Sequence, residues 1–314
     1  MGKGSGYGKV ILFGEHFVVH GIPGIVSAIN LTTDAKVKKI VGNGINVKDE
    51  RKGTEGYTDK KKMQQKESIE RMLRMMDLDL KKTPLEIWLG GELPTFSGIG
   101  ASAASSVAIA RAISEEFEMK LSDEKINEIA YEAERAYAGT PSGIDNTAAT
   151  YGGLLWFKKN MTGGSNTIER LKIKKPVEIV MGNTGLVANT EAMVAGVAER
   201  KSKYPKKYDK LFKQAEKLVY EGKRTLEKFD LKEIGKLMDE NHRLLQTIEV
   251  SSKELDQLVE IALNQGAFGA KLTGGGGGGC MVALTPGKEL QENVAKSMER
   301  EGFKVLRTKI GVER

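Results

Sequence analysis

Cysteine and histidine are nearly absent from this chain of 314 residues. Cys280 is its single cysteine, so no disulfide can form within one chain, and only three histidines are present. So small a number of soft ligands makes a structural zinc site an unfavourable interpretation. We therefore expect any bound metal to be a hard cation such as magnesium, held by oxygen ligands.

Long hydrophobic runs are missing as well. No apolar segment approaches the roughly 20 residues needed to cross a bilayer. The opening residues, Met1-Gly2-Lys3-Gly4-Ser5-Gly6, contain no apolar signal core. These absences predict a cytoplasmic protein with no membrane partner.

Charged residues make up 29% of the chain and hydrophobic residues 39%, which is typical of a globular protein. The length suggests about two domains. A net charge of +7 would suit an anionic partner, and nucleic acid is the obvious candidate. The basic residues, however, lie in short scattered runs with acidic residues among them. A solvated surface and no nucleic acid partner is the interpretation that we favour.

Hydrophobic periodicity predicts a mixture of strands and helices, and therefore an α+β fold. We place a domain boundary near residue 180, which gives domains 1–180 and 181–314. In the helix near 62–76, the methionines Met63, Met72 and Met76 are expected in the core. The other predicted strands are 10–13, 24–29, 85–89, 152–157, 177–181, 270–272, 281–284 and 303–308. An Ala-rich helix is expected after 93–104, reaching about residue 117, and the other predicted helices are 123–138, 190–202, 205–227, 231–247, 251–265 and 288–301. Segments 42–60 and 158–170 are expected to form hairpins or loops.

One glycine-containing segment precedes a predicted helix. In Ser97-Gly98-Ile99-Gly100-Ala101-Ser102, two glycines allow the backbone to bend close to a ligand. The helix that follows would point free N–H groups and its positive dipole end at that ligand, which favours phosphate. The pattern is neither a Walker A loop nor a dinucleotide fingerprint. A tight turn without a ligand is the alternative.

Three more segments carry candidate chemical groups. Asp145 lies in Pro141-Ser142-Gly143-Ile144-Asp145-Asn146, where an Asx-type turn is the simpler interpretation. Lys271-Leu272-Thr273 runs into six glycines, Gly274 to Gly279, here called the Gly-rich run; it is either a flexible linker or a backbone surface laid against a ligand. Phe13-Gly14-Glu15-His16 follows a strand that begins near Lys9.

In this order, the segments resemble the three sequence motifs of the GHMP kinases, a family of small-molecule kinases. The first motif is Gly8-Lys9-Val10-Ile11-Leu12-Phe13-Gly14-Glu15-His16, the second is the Ser97 to Ser102 loop, and the third is Lys271 to Cys280. Similarity also extends through Glu134, through 140–146 and through Asn189-Thr190. The sequence Gly14-Glu15-His16-Phe17-Val18-Val19-His20-Gly21 is similar to that of the mevalonate-phosphorylating members.

The chain departs from the common family pattern at three places beside the expected nucleotide. Thr95-Phe96-Ser97 replaces a Pro-Gly-x-Gly approach, Ala101 replaces a frequent Ser, and Gly275 replaces a frequent Ala. None of these changes removes an expected catalytic group. The pattern at 93–103 and 140–152 is closer to compact members from some protists and archaea.

The resemblance implies a two-domain fold with the active site in the cleft between the domains. It implies Asp145 as the catalytic carboxylate with Lys9 as its cationic partner, and Ser102 and Glu134 as magnesium ligands. Glu15, His16 and Thr190 are implied on the substrate side, although Thr190 could equally be a helix N-cap. The implied ATP-binding residues are Pro94, Ser97, Gly98, Ile99, Gly100, Ala101, Ser102, Ala103, Gly274, Gly275 and Gly276.

The implied reaction uses ATP and Mg²⁺ to phosphorylate the primary hydroxyl of mevalonate, giving 5-phosphomevalonate for isoprenoid biosynthesis. A homodimer is a possible assembly. Two alternatives remain open at this point. One is another small-molecule kinase of this family, acting on phosphomevalonate or on a different hydroxyl of mevalonate. The other is a basic nucleotide- or nucleic-acid-binding protein without catalysis.

Overall fold

The computed structural model describes residues 1–79 and 82–312, and this part of the chain contains ten β-strands and nine α-helices. The strands are β1 (Gly2–Phe13), β2 (Gly24–Lys39), β3 (Ile45–Asp49), β4 (Leu85–Gly90), β5 (Leu154–Lys158), β6 (Thr167–Leu171), β7 (Val177–Asn183), β8 (Gly269–Thr273), β9 (Cys280–Leu284) and β10 (Lys304–Ile310). The helices are α1 (Tyr57–Met75), α2 (Ala101–Glu116), α3 (Asp123–Ala138), α4 (Ile144–Tyr151), α5 (Thr190–Lys203), α6 (Pro205–Lys228), α7 (Leu231–Thr247), α8 (Lys253–Asn264) and α9 (Lys288–Arg300). The predicted α+β class is confirmed. Within the described ranges, no helix is both long enough and apolar enough to span a bilayer.

Contact density divides the chain into two compact units, each assembled from separate stretches of sequence. Unit 1 consists of residues 1–8, 31–95 and 100–152, and unit 2 of residues 9–30, 96–99 and 153–314. The chain passes between the units along β1, along β2 and through the segment that precedes α2. The single boundary near residue 180 remains a prediction about sequence domains.

Unit 1 is a small sheet with helices packed on it. Strand β4 pairs in antiparallel fashion with residues 34–39 of β2 and in parallel fashion with β3. One buried apolar cluster joins these strands to α1, α2 and α3, with Leu73, Ile87, Ile113 and Ile129 fully buried. The cluster includes many alanines of α2, because this helix is covered on most sides.

Small residues allow β1 to lie directly against α2. A Cβ atom placed on Gly2, Gly4 or Gly6 would come within 2.0 to 2.3 Å of the carbonyl oxygens of Ala112, Ala108 and Ala104. Only glycine fits at such distances. The close backbone approach expected of this Ala-rich helix is therefore present, and it fixes the position of the N-terminal end of α2 within unit 1.

Helix α1 begins earlier than predicted and buries only part of the expected stripe. Met72 is fully buried and Met76, just after the helix, is 7% exposed, whereas Met63 is 80% exposed. The prediction of a core position is therefore wrong for Met63. It lies one turn or more before the segment of the helix that faces the apolar cluster of unit 1.

Unit 2 contains a four-stranded antiparallel sheet in the order β10, β7, β9, β8. Helices α5 to α9 supply most of the apolar side chains packed on it, including Tyr208, Leu245, Leu258 and Met298. Residues 24–27 of β2 pair with β5, which in turn pairs with β6. The predicted hairpin near 158–170 is confirmed by that second pairing.

Candidate active site

Lys9 lies on β1 with its side chain buried in unit 2. The residue is 1% exposed, its backbone N–H donates to the carbonyl of Ile99 at 2.9 Å, and its ammonium donates to the carbonyl of Gly98 at 3.2 Å. Two separate bonds therefore hold the predicted catalytic lysine against the 96–99 segment of the predicted phosphate loop.

The loop needs glycine at its first bend. Gly98 has φ +91°, and a Cβ there would lie 2.8 Å from the carbonyl oxygen of Thr273 and 3.2 Å from the nitrogen of Cys280. Gly100, two residues on, has φ +73°. Both values lie in the left-handed region that glycine tolerates without a steric penalty. The turn therefore runs closely past the ends of β8 and β9.

Helix α2 begins directly after this turn, and its N-cap, Gly100, has no side chain with which to cap it. The first N–H groups, from Ala101 to Ala103, are thus left to an external acceptor such as phosphate. The side chain of Ala103 belongs to the core of unit 1, so only its backbone is suited to ligand binding. Pro94 is buried ahead of the turn, and Ser97 Oγ accepts a bond from Ala188 N at 3.3 Å.

The two predicted magnesium ligands lie together in unit 1. Ser102 Oγ donates to Glu134 Oε2 at 3.0 Å, and Ser106 Oγ donates to Glu134 Oε1 at 3.3 Å. Glu134 is 6% exposed on α3. The described residues contain no cluster of three or more His, Cys, Asp or Glu side chains suited to a metal. A hydroxyl and one carboxylate fit a hard cation whose remaining ligands are phosphate oxygens and water.

Asp145 lies in the first turn of α4, a helix that the sequence analysis treated as a loop. Gly143 at φ +92° is the N-cap, Thr147 Oγ1 donates to its carbonyl at 2.6 Å, and Ile144 N donates to Ser142 Oγ at 3.2 Å. The segment from Ile144 onward is therefore helical, and the Asx-type contact of Asp145 stays a prediction. A carboxylate in the first turn of a helix is stabilised by the positive end of the helix dipole.

The Gly-rich run is an ordered surface rather than a linker. Five of its six residues have positive φ, all except Gly275. Gly277 N donates to the carbonyl of Val250 at 2.9 Å, and Gly279 N donates to that of Leu186 at 3.1 Å. A Cβ on Gly276 would lie 2.0 Å from the Val250 carbonyl oxygen. The flexible-linker interpretation is therefore wrong, because packing on both sides fixes the run.

His16 connects the first motif to the Gly-rich run. It has φ +60°, it is 6% exposed, and its Nε2 lies 3.0 Å from the carbonyl oxygen of Gly275. A carbonyl only accepts, so Nε2 carries the proton, and the buried Nδ1 keeps its lone pair with no partner among the described residues. Burial is the main reason that the pKa of His16 is lowered to about 4. The ring is therefore neutral at pH 7.

Thr190 is not the N-cap of α5. That role belongs to Asn189, whose side-chain oxygen accepts from Ala192 N at 3.1 Å. The N-cap alternative for Thr190 is therefore wrong. Its hydroxyl lies instead against the Gly-rich run, 2.4 Å from the place where a Cβ on Gly275 would stand. Glycine at 275, where alanine is common in the family, makes room for this hydroxyl.

Glu15 has no exposed side-chain surface and is held by two residues that sequence reasoning did not select. Lys271 forms an ion pair with Glu15 Oε1, and Asn241 Nδ2 donates to Glu15 Oε2 at 3.2 Å. Lys271 was treated only as the start of the third motif. Asn241 lies on α7 without any motif, so no local signal could have found it.

A second group that sequence reasoning missed lies in unit 1, beside Ser102. Arg51 and Asp49 form a bidentate pair with side chains only 4% and 6% exposed. The guanidinium also donates to Ser105 Oγ at 2.8 Å and to Thr33 Oγ1 at 3.0 Å. This arrangement ties the end of β3 to the first turns of α2. Both residues line a small cavity with Lys61, Gln65, Ala101, Ser102, Ser105 and Tyr137.

Cys280 and His242 have structural roles. Cys280 is fully buried, and burial raises the pKa of its thiol. His242 lies on α7 with Nδ1 accepting from Leu272 N at 3.4 Å, and burial is the main cause that lowers its pKa to about 4. Neither side chain is suited to nucleophilic or acid chemistry near pH 7.

Comparison with known families matches this chain twice. Residues 66–153 match the family described as "GHMP kinases N terminal domain", and residues 223–304 match "GHMP kinases C terminal". Among curated proteins, the chain is 35% identical to a mevalonate kinase of Pyrococcus abyssi, over 97% of this chain and 94% of the relative. It is 30% identical to a mevalonate kinase of Methanocaldococcus jannaschii over 95% of this chain and 96% of that protein.

Solved structures give the same result. The chain superposes on the crystal structure of L. major mevalonate kinase in complex with R-mevalonate with a TM-score of 0.90 and 37% identity, covering 99% of this chain and 96% of that one. A galactokinase of Lactococcus lactis superposes with a TM-score of 0.75 at 18% identity, covering 99% of this chain and 94% of that one. The second likeness concerns the fold alone.

Proposed function

This chain belongs to the GHMP kinase family, and from that premise we propose that it is an ATP-dependent kinase that phosphorylates the primary hydroxyl of mevalonate. The product is 5-phosphomevalonate, an intermediate of isoprenoid biosynthesis. The observation that carries the substrate assignment is similarity to mevalonate kinases over nearly the whole chain. Family membership favours catalysis over the alternative of a non-catalytic nucleotide- or nucleic-acid-binding protein.

In unit 1, we assign Ser102 and Glu134 to magnesium and the N-terminal end of α2 to phosphate. These two oxygen ligands would hold the metal, which when bound would supply positive charge against the phosphates. The hydroxyl of Ser102 already lies within hydrogen-bonding distance of Glu134. The two oxygens would therefore need only a small rearrangement to bind one cation. The uncapped N–H groups after Gly100 would donate hydrogen bonds to phosphate oxygens.

We assign Lys9 and Asp145 to the transfer itself. Phosphoryl transfer passes through a loose transition state in which alignment and charge neutralisation supply most of the acceleration. In such a reaction, Asp145 would orient the attacking hydroxyl and accept its proton late. Lys9, held by the Gly98 carbonyl, would balance negative charge on the migrating group.

On the substrate side, we assign His16 and Thr190, together with the backbone of the Gly-rich run. The neutral His16 ring leaves Nδ1 as an acceptor for a substrate hydroxyl. Thr190 supplies a hydroxyl beside Gly275. Polar groups of this kind select a substrate by hydrogen bonding, because a substrate that lacks the partner leaves a buried group unsatisfied.

A coupled assay of ADP release tests the function directly. Mevalonate, phosphomevalonate, homoserine and galactose are offered separately with ATP and Mg²⁺, and ³¹P NMR identifies the product. We expect turnover with mevalonate and a phosphate ester on its primary carbon. Turnover only with phosphomevalonate, or phosphorylation at the tertiary hydroxyl of mevalonate, would overturn the proposal. Mg²⁺ dependence, a cytoplasmic location and a homodimer remain predictions.

A further inference from the structure

Beneath the substrate residues of unit 2 lies a buried triad made of Glu15, Lys271 and Asn241. The side chains of Glu15 and Lys271 are both 0% exposed, and Asn241 is fully buried as well. Glu15 and Lys271 are 256 positions apart in sequence. The triad therefore joins the turn after β1 to strand β8 and helix α7.

The ammonium of Lys271 has no proton left for a ligand. It donates to Glu15 Oε1, to the carbonyl of Leu272 at 2.7 Å and to that of Ile11 at 3.4 Å. A lysine ammonium has three N–H bonds, and all three are used. Both oxygens of Glu15 are engaged too, one by Lys271 and one by Asn241. Both carboxylate oxygens of Glu15 are thus held by protein groups, and its side chain has no exposed surface.

Stability alone does not explain such a triad. Taking two charges out of water costs about as much as their attraction returns, and apolar residues of similar volume are often equally stabilising. Removing one partner, by contrast, leaves a buried charge uncompensated, which is strongly destabilising. A buried ion pair costs free energy both when it forms and when one partner is removed. It is therefore better explained by the positions in which it holds the neighbouring residues.

That geometry concerns the residue next to Glu15. His16 has φ +60°, a conformation that few non-glycine residues adopt and that needs support from its surroundings. Two contacts supply this support. The preceding residue, Glu15, is held by its buried side chain, and the His16 ring bonds to the carbonyl of Gly275. Lys271 lies three residues before the Gly-rich run to which that carbonyl belongs. The triad therefore fixes both partners of the contact between the His16 ring and the Gly275 carbonyl, because Glu15 precedes His16 and Lys271 precedes the Gly-rich run.

We propose that Lys271 and Asn241 are positioning residues of the kinase site. They hold the Glu15 carboxylate and thereby fix the His16 ring against the Gly-rich run, in the tautomer that leaves Nδ1 free to accept from a substrate. The proposal rests on the proposed function, because it assigns the His16 contact to the substrate mevalonate. It places Glu15 behind the substrate residues rather than among them.

The decisive variant is the neutral double substitution Glu15→Gln with Lys271→Met, which removes both charges and nearly conserves volume. We expect a melting temperature close to that of the native enzyme. The kcat/KM for mevalonate should fall at least about tenfold, since small misplacements of a substrate contact are costly. The KM for ATP should change little.

The matched control is Glu169→Gln with Lys223→Met, a solvent-accessible pair in the same unit, which should leave kinetics unchanged.

A second readout does not depend on activity. With only three histidines in the chain, ¹⁵N NMR of the imidazoles resolves His16 and reports its tautomer. We expect the Nε2–H form in the native enzyme and a mixture in the double variant. A native tautomer together with native kinetics in a stable double variant would overturn the proposal, and so would equal losses for mevalonate and ATP.

Asn241→Leu keeps the ion pair and removes one bond to Glu15, so it decides the matter if the double variant does not fold. A selective, smaller loss with mevalonate is expected, and unchanged kinetics would contradict the positioning role. A native enzyme that fails to phosphorylate mevalonate would refute the proposed function instead. In that case, the NMR comparison still tests the triad.

Discussion

Asp145 is the residue on which the chemistry of transfer most depends. We expect Asp145→Asn to lower kcat by roughly 10² to 10⁴, the range typical of lost acid–base or orienting groups. The Michaelis constants should change much less, because the carboxylate is assigned to the transition state. Steady-state assays with mevalonate and ATP measure both. Asp209→Asn, on the exposed face of α6, is the control, and near-native turnover of Asp145→Asn would remove it from the reaction.

Glu134 tests the metal assignment. Glu134→Gln keeps the shape of the side chain and removes its charge, so we expect the Mg²⁺ concentration for half-maximal activity to rise about tenfold or more. The control is Glu128→Gln on the same helix, where the native glutamate pairs with Lys125. An unchanged metal titration would leave Glu134 as a buried structural carboxylate that accepts from Ser102 and Ser106.

At residue scale, motif order and resemblance located the candidates, and the structure decided how each is held. Lys9, Ser102, Glu134 and His16 were selected from sequence, and each has a defined hydrogen-bond partner within its own unit. Backbone geometry, which sequence patterns do not encode, makes Asn189 rather than Thr190 the N-cap of α5.

At the scale of elements, the turn before α2 is the most demanding piece of backbone. We expect Gly98→Ala to reduce kcat/KM for ATP and to lower the melting temperature. A side chain there would meet Thr273 at 2.8 Å as well as the penalty of φ +91°. That penalty alone is about 1 to 2 kcal/mol.

Gly163→Ala is the matched control for this glycine. Gly163 has nearly the same φ, +92°, but nothing lies within 4 Å of its added Cβ. The control should therefore lose some stability and no activity. Equal activity losses in the two variants, or none in either, would contradict the assigned role of the loop. Thermal melts and ATP titrations measure the two effects separately.

Long periodic elements were predicted well. The helices α6 to α8 begin and end within about two residues of the predicted ranges, because their apolar stripes are long and regular. Ser122 is the N-cap of α3 and accepts from Lys125 N at 3.3 Å. Local signals suffice where one face of a helix is buried along its whole length.

Short and two-sided elements were predicted poorly. Strand β3 has only five residues, none of them fully buried, and it was included in a loop. Helix α4 has eight residues and begins after a Pro-Ser-Gly segment, which is typical of turns. Strand β2 runs on to Lys39 although its second half is rich in charged residues, since one side of that half is exposed. The two strands depend on pairing partners distant in sequence.

At the scale of the whole molecule, the buried histidines make stability depend on pH. The pKa of His16 and that of His242 are both lowered to about 4, and burial also lowers the pKa of His20. Between about pH 6.5 and 4 the unfolded chain therefore binds more protons than the native protein. The free energy of unfolding should fall as the pH falls through this range.

Urea denaturation at pH 7.0, 6.0 and 5.0 measures this effect before most carboxylates titrate. We expect each of His16 and His242 to contribute a loss on the order of 1 kcal/mol per pH unit. The variant with His16→Gln and His242→Gln should show a flatter dependence over the same interval. Stability that is constant from pH 7.0 to 5.0 would show that these imidazoles are not protected from protons.

Sequence patterns were enough to predict the α+β class, the order of the motifs, most helices and strands, and the GHMP kinase resemblance. Those properties follow from local periodicity, capping and glycine placement, which act over a few residues. Only the tertiary structure decided that Glu15 is bound by Lys271 and Asn241 and that Met63 faces solvent. Such outcomes come from side-chain packing between segments up to 256 positions apart, where burial rather than local propensity selects the partner.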